Sequence, residues 1–142
     1  VERKAEPVLR DIEYKGADKA SPSKEVSDAL LQADKIIIGP SNPILSIGPI
    51  LSIKKLKNII CEHPSVTVVS PFINQKALKG PSDRNFADFG LEPNLNGLKE
   101  FYKDTANKFV VHENERTDEN TSAENILFSE PNIAVNLAKK IT

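Results

Sequence analysis

The 142-residue sequence carries nineteen basic and twenty acidic side chains, a formal net charge of −1, and 39% apolar residues. This balance is typical of one soluble globular domain and argues against a general nucleic-acid binder, which would carry a clustered basic excess. The single cysteine excludes an internal disulfide, and no apolar run approaches the ~20 residues that cross a bilayer. We therefore expect a cytoplasmic protein. Because the sequence contains no methionine, even at position 1, we also expect it to be part of a longer protein.

Apolar periodicity in the first half predicts alternating strands and helices. A strand is predicted over 8–14. Ser21 followed by Pro22 predicts the start of a helix, with an apolar stripe formed by Val26, Ala29, Leu30 and Ala33. The three isoleucines within 35–39 predict a short strand buried on both faces. A helical turn near 47–51 and a helix near 56–60 follow, separated by a break near Ser52, which is also the expected cap of the second helix.

In the second half, buried strands are predicted over 66–70 and 108–112. The polar stretch 113–123 is expected to be a mobile surface loop, and 126–128 an edge strand. Helices are predicted over 83–89, from Asn96 onward with Leu98, Phe101, Tyr102 and Thr105 on one face, and from Pro131 onward with Ile133, Ala134, Leu137, Ala138 and Ile141 facing the core. This alternation predicts an α/β fold, a Rossmann-like three-layer sandwich with a mostly parallel sheet, in which residues 1–142 form a single unit.

The loop after the strand at 35–39 has the composition of a phosphate site. Ligands of open α/β sheets bind beyond the carboxyl ends of the strands. Glycine allows close approach, prolines stiffen the loop, and serine and asparagine supply neutral donors. A helix beginning near Ser46 would direct unpaired N–H groups toward an anion. The same residue types also form ordinary turns that bind nothing. The candidate residues are Gly39, Pro40, Ser41, Asn42, Pro43 and Ser46.

A second candidate loop follows the strand at 66–70. Lys76 and Lys79 are able to neutralise phosphate, and Gly80 with Pro81 to pack against a base. A solvated loop with two lysines fits the same composition. Consecutive parallel strands usually neighbour each other, so we expect both loops at one edge of the sheet.

The remaining chemical groups are isolated in the sequence. Cys61 and His63 have no second pair that would complete a zinc site. His112 ends a predicted strand near the expected ligand edge, where a lone histidine is usually structural. The acidic residues within 113–119 fit a solvated loop, with a divalent-cation site as the alternative. We assign no metal ligand and no catalytic residue.

The string from Ala33 to Leu51, Ala-Asp-Lys-Ile-Ile-Ile-Gly-Pro-Ser-Asn-Pro-Ile-Leu-Ser-Ile-Gly-Pro-Ile-Leu, closely resembles the signature of 2-phospho-L-lactate transferases. The stretches 1–7, 69–71 and 79–83 resemble the same family in the same order. The sister family of YvcK-type regulatory factors is similar here but typically has Gly-Pro-Gly-Ser-Leu-Tyr-Thr-Ser. The pairs Asn42-Pro43 and Gly48-Pro49 favour the transferase.

The resemblance implies an enzyme of coenzyme F(420) biosynthesis. Such enzymes transfer a phospholactyl-type group from a guanosine diphosphate-activated three-carbon acid to the ribityl hydroxyl of the deazaflavin Fo. GMP leaves, Mg²⁺ assists, and the enzymes are typically homodimers. The resemblance places the donor's diphosphate at 39–46, with Ser41, Asn42 and Ser46 as donors. It places the nucleotide at Lys79, Gly80 and Pro81, with Lys79 as a charge partner.

The chain departs from this family in two ways. Family members are longer, and their first half carries a glycine-rich loop and the acidic residues that meet metal and deazaflavin. This chain resembles only the carboxy-terminal half, so we expect the metal ligands outside it and expect the chain alone to be inactive. Where relatives often have Gly-Gly, this chain has Asn74-Gln75. Two alternatives stay open, a nucleotide-binding regulatory module without transferase activity and a structural fragment whose loop is empty.

Overall fold

The computed structural model describes residues 8–142, so the resemblance at 1–7 lies outside the described residues. A single sheet, a hairpin and a set of helices make up this part of the chain. The elements are α1 (Lys24–Gln32), β1 (Ile36–Ile38), a π-helix (Pro43–Ile47), α2 (Gly48–Leu51), α3 (Lys54–Glu62), β2 (Val66–Val69), β3 (Phe72–Ile73), β4 (Lys76–Ala77), α4 (Ser82–Asp88), α5 (Leu95–Phe101), β5 (Lys108–His112), β6 (Thr121–Glu124) and α6 (Pro131–Ile141).

The sheet has four strands in the order β1-β2-β5-β6, and all of its pairings are parallel. Its register places Ile36 opposite Val66 and Val68 opposite Phe109. The short strands β3 and β4 form a separate antiparallel hairpin. The predicted α/β fold with a mostly parallel sheet is therefore confirmed.

Apolar side chains cover both faces of this sheet. Val68 packs in a cluster with residues of α3, α4 and α5, including Ile60, Phe86 and Leu98. The next residue, Val69, points to the opposite face, because side chains alternate along a strand. There it joins Val110 and Leu137 of α6. Helices on both sides of one sheet give the predicted three layers. No helix within residues 8–142 is long and apolar enough to span a membrane.

The strand predicted over 8–14 is wrong. This segment pairs with no strand within the described part of the chain. It is held instead by two separate hydrogen bonds to other elements. The Leu9 amide donates to Asp88 at 2.9 Å, and the Tyr14 hydroxyl donates to the Ile44 carbonyl at 2.7 Å.

Two predicted helix caps are misplaced by two residues each. Ser23, rather than Ser21, caps α1 by accepting from the Val26 amide. Asn94, rather than Asn96, caps α5 by accepting from the Gly97 amide. Two Ser residues precede α1 and Asn96 lies inside α5, and only the residue whose side-chain oxygen reaches a first-turn amide can cap the helix.

Three further details of the helix predictions fail. The break near Ser52 is confirmed, but Ser52 does not cap α3, because its hydroxyl donates to the Pro49 carbonyl. In α1, Val26 is 45% exposed and Ser27 is buried, so the predicted stripe does not face the core as a whole. Of the residues expected to face the core from α6, Leu137 is buried and Ile141 packs half-buried against the same cluster, whereas Ala134 and Ala138 are exposed.

The polar edge of the sheet was also predicted incorrectly. The strand at this edge is Thr121–Glu124, which overlaps the end of the stretch 113–123 predicted as loop, whereas Leu127 and Phe128 of the predicted edge strand are exposed. A polar edge strand lacks the apolar alternation that marks a strand in sequence, since it packs little against the core. At the opposite edge, Ile37 of β1 is 39% exposed, so β1 is not buried on both faces.

Candidate functional site

The two candidate loops leave the same edge of the sheet, and the first loop contacts α4, the helix that follows the second loop. β1 and β2 are parallel neighbours, so the loops that follow them begin side by side. The Asn42 amide nitrogen of the first loop donates to Asn85 Oδ1 of α4 at 2.8 Å. Because α4 begins directly after Pro81, this bond fixes the first loop beside the end of the second.

The side chain of Asn42 makes three hydrogen bonds that hold the first loop. Its Oδ1 accepts hydrogen bonds from the amides of Ile44 and Leu45, both at 3.0 Å, and so caps the π-helix. Its Nδ2 is engaged with Asn85. Asparagine favours this position because its short side chain reaches the first-turn amides. Both polar ends of this side chain are thus used inside the protein.

The predicted anion site built from unpaired helix amides is wrong. The helical segment begins at Pro43, not near Ser46. The amides of Ser46 and Ile47 donate to the Asn42 carbonyl, and the Ser41 amide donates to the Gly39 carbonyl. With the Ile44 and Leu45 amides capped by Asn42, the first turn offers a ligand no unpaired amide.

The side chains of Ser41 and Ser46, unlike that of Asn42, are not used within the part of the protein that the structure describes. Both residues are exposed, and neither hydroxyl makes a hydrogen bond within residues 8–142. At Gly39 an added Cβ would meet no atom within 4 Å, so the space in front of this backbone is open. Pro43, the first residue of the π-helix, is buried and Pro40 is half-buried, so two prolines flank Ser41 and Asn42. The first loop therefore has two exposed hydroxyls that no protein group within residues 8–142 uses, and open space in front of Gly39.

The second loop is built on a tight hairpin. Asn74 and Gln75 join β3 to β4 with φ values of 49° and 63°. This backbone suits glycine, and Asn tolerates it better than Gln. Gly80 follows with φ of 66°, a conformation that explains why glycine stands there. The loop direction is thus set by this backbone geometry, and the hairpin is also held by Glu115, whose Oε1 accepts a hydrogen bond from the Asn74 amide at 3.1 Å.

The two lysines of this loop differ. Lys76 lies 3.8 Å from Asp83, a pair on the surface. Lys79 is exposed and has no hydrogen bond or ion pair within the described residues. Pro81 follows at the cap position of α4, where its carbonyl accepts from the Asn85 amide. The cation of Lys79 is therefore available to a ligand, whereas that of Lys76 already has a partner.

Sequence reasoning missed two residues that shape this region, Tyr14 and Asn85. Tyr14 meets the first loop across 30 positions of sequence, and Asn85 meets it across 43. Burial raises the pKa of Tyr14 above its ordinary value of 10.0, so its hydroxyl remains a donor at neutral pH. The sequence holds no local signal for either residue, because their contacts with the first loop join distant parts of the chain.

His112 lies at the carboxyl end of β5, on the face that Val110 shares. It is buried, and its Nδ1 accepts weakly from the Asn114 amide at 3.4 Å. Its Nε2 has no partner within the described part of the chain. Sequence reasoning placed His112 near the ligand edge, and the structure places it at the end of the neighbouring strand.

The acidic stretch after β5 contacts two loops, since Glu115 bonds the hairpin of the second candidate loop and Asp118 bonds its own loop. Asp118 accepts hydrogen bonds from Lys99, from Thr121 and from the Asn120 amide. The bond from Lys99 lowers the pKa of Asp118 below its ordinary value of 3.8, with Thr121 adding to the effect. Within residues 8–142, no three side chains of His, Cys, Asp or Glu gather in a way that could hold a metal ion.

Comparison with known proteins matches residues 1–138 to the family described as 2-phospho-L-lactate transferase CofD. A 2-phospho-L-lactate transferase of Methanopyrus kandleri is 46% identical over 104 residues, which cover 73% of this chain and 33% of that protein. Those of Methanosarcina mazei and Methanocaldococcus jannaschii are 36% and 37% identical, over 82% and 78% of this chain. The chain spans about a third of the length of these curated relatives.

Proposed function

The chain belongs to the 2-phospho-L-lactate transferase CofD family, and from that membership we propose that it is the nucleotide-binding part of a transferase in coenzyme F(420) biosynthesis. The complete enzyme moves a phospholactyl-type group from a guanosine diphosphate-activated three-carbon acid to the hydroxyl of the deazaflavin Fo and releases GMP. The observation that carries this proposal is the family match over residues 1–138, because that span contains both candidate loops.

We assign the donor's diphosphate to the first loop. Transfer from a diphosphate needs donors and positive charge around phosphate oxygens, since charge shifts there as the leaving group departs. The hydroxyls of Ser41 and Ser46 are exposed and uncommitted within residues 8–142, and Gly39 leaves space for close approach. Lys79, on the adjoining loop, supplies the cation.

The other proposed binding residues act mainly through shape. Asn42 caps the π-helix and binds Asn85, while Pro40 and Pro43 stiffen the chain on either side of Ser41 and Asn42. Gly80 and Pro81 set the direction in which the chain leaves Lys79 and enters α4. A loop fixed before binding loses less conformational entropy when its ligand arrives.

The described residues do not fit a Mg²⁺ centre by themselves, since no group of three acidic, histidine or cysteine side chains gathers among them. As the resemblance implies, we propose that the metal ligands and the catalytic base lie in the part of the complete enzyme outside this chain, and we derive no step through the metal. The homodimer and the cytoplasmic location also stay predictions.

The test uses the complete polypeptide that contains this chain. Calorimetry with guanosine diphosphate measures nucleotide binding, and chromatography of Fo incubated with the activated donor measures transfer. We expect binding and transfer, with no transfer by the purified 142-residue chain. Binding without transfer by the complete polypeptide would favour the regulatory module, and absence of both would favour an empty structural loop. Product formed by the short chain alone would contradict the placement of the catalytic base elsewhere.

A further inference from the structure

The π-helix leaves one of its carbonyl groups without a backbone donor. The Gly48 amide, four residues after Ile44, donates to the Pro43 carbonyl instead. The next position along, Pro49, has no N–H to give. The Ile44 carbonyl is therefore unpaired by the helix, and a half-buried acceptor without a partner is costly.

The hydroxyl of Tyr14 supplies the missing donor. It donates to the Ile44 carbonyl at 2.7 Å. The Tyr14 ring reaches that carbonyl because Gly48 has no side chain, since a Cβ there would stand 2.1 Å from Tyr14 Oη and 2.8 Å from Cζ. Gly48 thus leaves the space that the tyrosine ring occupies. Pro49 leaves the Ile44 carbonyl without a backbone donor, and the tyrosine hydroxyl replaces that donor.

Tyr14 is itself held by the segment that carries it. Residues 9–14 form a strap that is anchored at its far end by the Leu9 amide, which donates to Asp88 of α4. Ile12, between these two bonds, packs against the core. One end of the strap thus fixes α4, which follows the second loop, and the other fixes the π-helix, which follows the first. The strap therefore joins α4 to the π-helix, in addition to the direct bond between Asn42 and Asn85.

We propose that Tyr14 is a positioning residue for the donor-binding loop at 39–46. This role rests on the proposed function, because it assumes that the loop binds the nucleotide donor. Through the Ile44 carbonyl, Tyr14 holds the π-helix and hence the orientation of Ser41 and Ser46. A merely structural role would stabilise the fold without changing donor affinity.

The decisive comparison is between Tyr14→Phe and Ser52→Ala in the complete polypeptide. Each removes one hydroxyl that donates to a backbone carbonyl at 2.7 Å in the same helical region. Ser52 directly follows α2 and donates to the carbonyl of Pro49, which lies outside the loop at 39–46. Both variants should lower Tm by similar amounts. Only Tyr14→Phe should raise the Kd for guanosine diphosphate, by up to about tenfold, because the free energy of the lost bond is the most by which the binding-competent loop conformation can be destabilised.

Kinetics and a rescue variant complete the test. Tyr14→Phe should raise KM for the donor and leave KM for Fo unchanged. Pro49→Ala restores a backbone N–H, so adding it to Tyr14→Phe should recover most of the lost nucleotide affinity. Equal Kd values for Tyr14→Phe and Ser52→Ala, or an absence of rescue, would overturn the positioning role while the parent still binds nucleotide. A parent that binds no guanosine diphosphate would overturn the proposed function and this role together.

Discussion

The two loops at the carboxyl edge of the sheet hold their shape by different means. In the first loop, the amides that follow Asn42 and both ends of the Asn42 side chain are used within the protein. In the second, positive φ values at Asn74, Gln75 and Gly80 turn the chain, and Lys79 is left without a partner among the described residues. The comparison shows that the polar composition of a loop does not reveal which of its groups remain for a ligand.

The largest effect is expected at Gly48. In Gly48→Ala the new Cβ displaces the Tyr14 ring and leaves the Ile44 carbonyl unpaired, so the free energy of unfolding should fall by about 3 kcal/mol. Urea unfolding of the variant and the parent measures this difference in free energy. In a Tyr14→Ala background the same change should cost under about 1 kcal/mol, because the clash is gone and alanine suits a helix better than glycine. Equal costs in the two backgrounds would show that Tyr14 is not what constrains Gly48.

Asn42→Ala should lower the free energy of unfolding by about 2 kcal/mol, since it removes the cap and the bond to Asn85. Asn42→Asp keeps the accepting oxygen and loses the donor to Asn85, so it should recover about half of this loss. Ser41→Ala is the matched control within the loop. Being exposed, it should change unfolding by less than about 0.5 kcal/mol. If Ser41→Ala lowered the free energy of unfolding as much as Asn42→Ala, the distinction between residues that hold the loop and residues left for a ligand would fail.

Lys79→Ala should raise the Kd of the complete polypeptide for guanosine diphosphate by about tenfold, because a charge-assisted bond is lost. The free energy of unfolding should not change. Lys76→Ala serves as the control, since this lysine of the same loop already lies near Asp83 and should leave nucleotide affinity unaltered. Calorimetry compares the two variants. If both bind as the parent does, the second loop is a solvated surface.

The smallest effect is expected at Gln75. With φ of 63°, this residue occupies a backbone region that glycine adopts without strain. Gln75→Gly should therefore raise the free energy of unfolding by about 0.5–1 kcal/mol. Asn74→Gly should gain less, because asparagine already tolerates that region. If Gln75→Gly lowered the free energy of unfolding, contacts of the Gln75 side chain would outweigh the relief of backbone strain.

Sequence patterns predicted those parts of the fold that depend on local chemistry. The strands at 66–69 and 108–112 were recognised because runs of buried β-branched or aromatic residues leave a strong local signal. The helix that ends before Gly90 was recognised from the glycine that stops it, which has φ of 71°. The polar strand at 121–124 was not recognised, since its pairing with β5 uses backbone atoms that every residue carries.

The candidate site was predictable in location and not in detail. The residues of both loops were found from their composition, and parallel strand order explains why the loops adjoin. The roles within the first loop depended on where the helix begins. Once Asn42 rather than a residue near Ser46 starts it, the amides expected to face an anion are used by the cap. Tyr14 and Asn85 were invisible because their contacts span distant parts of the chain.

The edge position of β1 has a consequence for how the protein behaves in concentrated solution. Within residues 8–142 this strand of three isoleucines pairs only with β2, and Ile37 is partly open to solvent. Such an edge carries no charge or proline that would repel a further strand, although Lys35 directly precedes it. Its unpaired backbone groups are a template on which another polypeptide can add. Self-association should therefore rise with protein concentration unless another segment covers this edge.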